Sequence, residues 1–114
     1  MNIMLYAYKR DFEVQKAERW FKERGIKVQA VDMKKHAPGL KELKLFAKEA
    51  GLKNIIDKES RAYLESTLRF LNGEQAILEG LAATPALIKG PIVRNGAHAT
   101  AGFQPEVWEA WQAE

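Results

Sequence analysis

Lys9-Arg10-Asp11-Phe12 sets two cations and a carboxylate side by side, directly before an amphipathic stretch that begins near Glu13. The first backbone N–H groups of a helix have no partner within it and lie at the positive end of its dipole, so an anion or a thiolate placed there is stabilised. Asp11 occupies that place. A carboxylate there can cap the helix by accepting a backbone N–H, or it can be presented to a cationic group on a partner. As a phosphate-accepting nucleophile it would need acidic metal ligands close by, and this stretch supplies none. Lys9 and Arg10 are in position to pair an anion, although exposed cations in a loop are commonly just solvated.

Other reactive groups are sparse. His36 falls in a turn and His98 beside a hairpin, far apart and with no carboxylate cluster near either, so no metal site is expected. The chain contains no cysteine. Disulfides, thiolate metal ligands and catalysis by a thiol of its own are therefore excluded. With 114 residues, 46% hydrophobic and 29% charged, the chain is expected to bury one core as a single domain spanning 1–114. The net charge of +3 is a mild pointer to acidic partners, and no nucleic-acid-binding motif accompanies it. Lysines at 34, 35, 41, 44, 48 and 53 could gather around one helix or simply form its solvated face. No stretch is long and apolar enough for a signal peptide or a membrane span, so the cytoplasm is the expected location.

The elements that must hold Asp11 follow from periodicity. Met1 to Tyr8 is apolar and aromatic, as a buried strand requires. A helix is expected from about Glu13 to Arg24, with Val14, Ala17 and Phe21 on one face and Gly25 closing it. Ile26 to Met33 alternates at period two and reads as a second, parallel strand, which completes a βαβ unit. From about residue 40 to 84 the pattern is helical. Leu40, Leu43, Phe46 and Ala47 mark one helix closed by Gly51, Ser60 caps a second carrying Tyr63, Leu64, Leu68 and Leu71, and Ile77, Leu78 and Leu81 mark a third. Ala86 to Arg94 returns to strand character, Asn95-Gly96 is a hairpin dipeptide, and His98 to Phe103 is the returning strand. Pro105 opens a terminal helix whose Trp108 and Trp111 are expected to pack on the sheet.

Two blocks of residues carry a family resemblance. Leu5-Tyr6-Ala7-Tyr8-Lys9-Arg10-Asp11, continued by Lys16 to Phe21 and Gly25-Ile26, resembles the opening of the arsenate reductase (ArsC) and Spx family. Thr84-Pro85-Ala86-Leu87-Ile88-Lys89-Gly90-Pro91-Ile92-Val93 and Gly102-Phe103-Gln104-Pro105-Glu106 resemble its later segments in the same order. The resemblance implies an α/β, thioredoxin-like fold: a βαβ unit plus a ββα unit in a mixed sheet, with a helical insertion at about 40–84. It also implies a cis Pro91 facing the Lys9 to Phe12 loop. The family's enzymes carry a redox-active cysteine where this chain has Asp11, and usually an oxyanion-binding arginine where it has Gly90.

A carboxylate cannot run a thiol redox cycle. The resemblance therefore implies an ArsC-related protein without redox catalysis, a binding or regulatory module of Spx type. Its expected partner is a protein, for which the resemblance to Spx suggests the C-terminal domain of the RNA polymerase α subunit; the expected binding residues are Lys9, Arg10, Asp11, Phe12, Lys89 and Pro91. Direct nucleic-acid binding is not expected. The alternative is an arsenate reductase-like or glutathione-dependent oxidoreductase that uses an external thiol. No cofactor is required by the residues, and glutathione has only backbone groups beside Pro91 to recommend it.

Overall fold

The apolar opening stretch forms β1 (Ile3–Ala7), and its alternation divides the interior into two cores. Ile3 and Leu5 face one side of the sheet, while Met4 and Tyr6 face the other. In this computed structural model, which describes residues 1–114 apart from the side chain of Arg69, β1 leads into α1 (Phe12–Glu23) and β2 (Val28–Asp32). Strand β2 lies parallel to β1, with Ala30 opposite Leu5. On the other flank β3 (Ile92–Asn95) runs antiparallel to β1 and forms a hairpin with β4 (His98–Ala101), giving the strand order β2-β1-β3-β4. This is the expected mixed sheet of a βαβ and a ββα unit.

Helix α1 and the last helix, α5 (Pro105–Ala113), cover one face of the sheet. Trp108 is fully buried there, its ring 4.8 Å from Phe21 and 5.4 Å from Trp20, and its indole N–H donates to the Thr100 hydroxyl at 2.9 Å. Trp108 and Trp111 thus pack inward as expected. The other face is covered by α2 (Leu40–Ala50) and α4 (Glu74–Ala83), through Leu43, Phe46, Leu78 and Leu81, with α3 (Arg61–Glu65) adding the partly buried Ala62 and Tyr63. Lys41, Lys44 and Lys48 lie exposed along the outer side of α2.

Local signals account for most boundaries. Gly25 has φ +68, and the Ile26 and Gly25 N–H groups bond the Phe21 and Lys22 carbonyls, so α1 closes in a Schellman motif. Three expectations change. The helix expected to carry Tyr63, Leu64, Leu68 and Leu71 stops at Glu65, because the Ser66 hydroxyl bonds the Tyr63 carbonyl at 2.9 Å and accepts from the Leu68 N–H at 3.2 Å. Leu68 is buried in the 3₁₀ turn that follows, whereas Leu64 and Leu71 are exposed.

The strand expected from Ala86 starts only at Ile92. Pro85–Leu87 is a 3₁₀ turn and Ile88 bridges to Ile56 instead, after which Pro91 has no N–H to continue a ladder. The hairpin loop is Gly96-Ala97 rather than Asn95-Gly96, since Asn95 pairs with His98. Gly96 has φ +62 and Ala97 does not have a positive φ, the signature of a type II′ turn.

Candidate functional site

The loop between β1 and α1 and the segment before β3 meet at one cleft of about 420 Å³. Tyr8, Lys9 and Asp11 form one wall, and Ile88, Lys89 and Gly90 form the floor. The opposite wall is Asp57, Glu59, Ser60 and Ala62, from the helical stretch between β2 and β3. That wall is fixed by backbone. The Asp57 N–H bonds the Leu87 carbonyl and the Lys89 N–H bonds the Ile55 carbonyl, both at 2.8 Å, on either side of the Ile56–Ile88 bridge.

Asp11 is the N-cap of α1. Its backbone is extended, at φ −85 and ψ −175, and its carboxylate accepts the Val14 N–H at 3.0 Å. One of the helix's unpaired donors is thereby satisfied from within the chain, and negative charge already sits at the positive end of the dipole. Arg10 turns away from the cleft to Glu18, at 2.9 Å. Phe12 is 74% exposed and has the Lys16 ammonium 5.9 Å from its ring centre.

The peptide bond between Gly90 and Pro91 is cis, and Pro91 is buried. Gly90 packs on the end of β1, its α-carbon turned toward the backbone of Tyr6 and Ala7. The sequence-derived set therefore divides. Lys9, Asp11, Lys89 and Gly90 converge on the cleft, while Arg10, Phe12 and Pro91 do not line it. Asp57 and Glu59 line it unforeseen, because they belong to a stretch that reads as an apolar link followed by a helix start.

Electrostatically the cleft is mixed. Three carboxylates, Asp11, Asp57 and Glu59, face two ammonium groups, Lys9 and Lys89. A cradle for an oxyanion needs converging cations and free N–H donors. Here the nearby guanidinium is paired elsewhere, position 90 has no side chain, and the helix entry holds its own carboxylate. Among the described residues no group of three or more His, Asp or Glu side chains is arranged to hold a metal ion, and no helix is long and apolar enough to cross a membrane.

The ArsC family model matches residues 6–111. This chain belongs to the ArsC family. The match takes in the whole cleft, β2, β3 and β4, and the end of β1. A relative of this ArsC-family protein is an uncharacterized protein, YusI, of Bacillus subtilis strain 168, 28% identical over 114 residues, covering 96% of this chain and 97% of that one. An ArsC family related protein from Bacteroides fragilis is 28% identical with a TM-score of 0.80, covering 96% of this chain and 98% of that one. An arsenate reductase from Vibrio cholerae is 22% identical with a TM-score of 0.81, over 94% of both chains. This ArsC-family protein thus has the α/β, thioredoxin-like fold with its helical insertion.

Proposed function

We propose that this ArsC-family protein is a binding or regulatory module of Spx type rather than a redox catalyst. The observation that supports this reading is the 3.0 Å hydrogen bond from the Val14 N–H to the Asp11 carboxylate. It fills the position where a reductase of this family would keep a thiolate. A carboxylate there is neither a sulfur nucleophile nor a leaving group, and it repels an incoming oxyanion. What the loop can do is present charge, with Lys9 exposed and Asp11 half-buried at the mouth of the cleft. The partner in this reading is a protein, with the C-terminal domain of the RNA polymerase α subunit as the first candidate.

Affinity capture from a bacterial lysate tests it, comparing the wild-type chain with a variant in which Lys9, Arg10 and Asp11 are all alanine. Enrichment of RNA polymerase that survives nuclease treatment and is lost in the variant supports the reading. Enrichment that the variant retains removes the loop from the contact, and no enrichment of polymerase removes this partner.

A second reading, an oxidoreductase using an external thiol, is favoured by one observation: a cleft of about 420 Å³ persists beside Gly90 at the helix entry. Turnover of arsenate or of a mixed glutathione disulfide with an added thiol system decides it. A rate equal to the blank without protein rejects this reading.

A further inference from the structure

The two edges of the sheet are not equivalent. At the β4 edge Ala99 is only 4% exposed and the Ala101 carbonyl accepts from the Gln104 side chain at 3.3 Å. The β2 edge is open. The Met33 N–H bonds the Ala7 carbonyl at 2.9 Å, so Gln29 and Val31 also direct their backbone groups toward β1. By the alternation of a parallel ladder, Val28, Ala30 and Asp32 direct theirs outward. The Asp32 carbonyl is taken by the N–H groups of Lys35 and His36. Val28 and Ala30 are left with an outward donor and acceptor each, the pattern that accepts an added strand.

Beside this edge, between β2 and α1, two shallow hollows that share Glu18 and Ala30 adjoin as a groove, with Leu5 and Val14 among the apolar lining of one, Val28 in the other and Ala30 in both. Its two ends are basic. Lys22 and Lys27 stand where β2 begins, and Lys9 and Lys34 where it finishes, all four exposed. The acidic groups nearby are engaged: Glu18 pairs with Arg10 at 2.9 Å, and the Asp32 carboxylate accepts the Lys34 N–H at 2.9 Å.

We infer that the β2 edge is a docking site for an extended, acidic segment of a partner protein, which adds as a fifth strand beside β2. Backbone pairing to Val28 and Ala30 supplies the register. Alternate apolar side chains rest on the groove, and carboxylates at the ends of the segment meet the lysine pairs. A second copy of this chain is the poorer occupant, because it would bring the same basic ends into one interface. The groove meets the cleft only at Tyr8 and Lys9, so this inference stands apart from the cleft reading.

The test uses the intact protein and a short peptide of alternating Glu and Val, followed by amide NMR and by anisotropy of a labelled copy. Two control peptides accompany it, one with Lys replacing Glu and one with alternate backbone nitrogens methylated. The expected result is saturable binding that shifts the Val28 and Ala30 amides and protects them from exchange. It should weaken about tenfold or more in the Lys27→Glu/Lys34→Glu variant, weaken with added salt, and vanish for the methylated peptide. Ala30→Pro removes an outward N–H without touching the β1 ladder and should also abolish binding; if that variant does not fold, the methylated peptide answers the same question. The inference is overturned by equal binding of the Lys peptide, by binding that survives methylation, by no saturable binding at millimolar peptide, or by shifts confined to Asp57, Glu59 and Lys89. Concentration-dependent protection of Val28 and Ala30 without peptide would also overturn it, in favour of a second copy.

Discussion

Gly90 packs directly on Ala7: a Cβ at Gly90 would lie 3.2 Å from the Ala7 α-carbon and 3.2 Å from the Tyr6 carbonyl oxygen. Both neighbours are backbone of a strand paired on its two sides, by β2 and by β3. The contact couples the floor of the cleft to the centre of the sheet.

Any side chain at position 90 must therefore push on this backbone, which would have to give by a few tenths of an ångström although Tyr6 is paired with both β2 and β3 and Ala7 with β2. Gly90→Ala is expected to lower stability by about 1–3 kcal/mol, the usual range for an overpacked site, and Gly90→Arg by at least as much. Denaturant titration measures this as a fall in midpoint at constant slope. An unchanged midpoint for Gly90→Ala would mean that the end of β1 yields freely, contrary to its pairing.

The cap at Asp11 has a separate, smaller signature. Asp11→Ala removes the acceptor of the Val14 N–H and should cost about 1 kcal/mol, while Asp11→Asn, which keeps a capping oxygen, should cost a few tenths. An Asp11→Cys variant should carry a thiol that titrates below the about 8.5 of a free cysteine, because the helix entry stabilises a thiolate. Ultraviolet absorbance of the thiolate against pH reads this directly. A thiol titrating at or above the free value would show that the helix entry exerts no such pull.

Part of this cleft was legible in the sequence, and the exceptions have physical causes. Asp11 could be placed because capping is local: the residue type and the helix beginning beside it specify the contact. Gly25 could be placed for the same reason. The second wall of the cleft could not. Asp57 and Glu59 reach it through a single bridge between Ile56 and Ile88, and one paired residue on each side leaves no alternation to read. The pairing of Arg10 with Glu18 was likewise invisible, since Arg10 lies outside the helix and the pair lacks the i,i+3 or i,i+4 spacing of helical ion pairs. The break at Ser66 was hidden because Leu64, Leu68 and Leu71 keep a helical period that the serine hydroxyl interrupts.

The buried phenol of Tyr6 ties β1 to the start of α2 and makes stability depend on alkaline pH. Its hydroxyl donates to Glu42 at 2.7 Å, the other Glu42 oxygen accepts the Gly39 N–H at 3.2 Å, and Arg94 lies 3.6 Å from the Glu42 carboxylate. Burial pushes the Tyr6 pKa above its ordinary 10.0, and the hydrogen bond to Glu42 pushes it further up, against a lowering pull from Arg94. The folded protein therefore holds this proton at a pH where the unfolded chain has released it. Stability falls with rising pH wherever the native state binds more protons, so the contribution is complete below about pH 10 and is lost as pH rises through the folded value. Tyr6→Phe should reduce stability near neutrality by about 1.5 kcal/mol, through the lost bond to a charged acceptor that keeps its other partners. The same variant should flatten the alkaline limb of the stability curve. Denaturation midpoints from pH about 8 to about 11 for both proteins check this. Parallel curves for the wild type and the variant would show that Tyr6 does not carry the alkaline dependence.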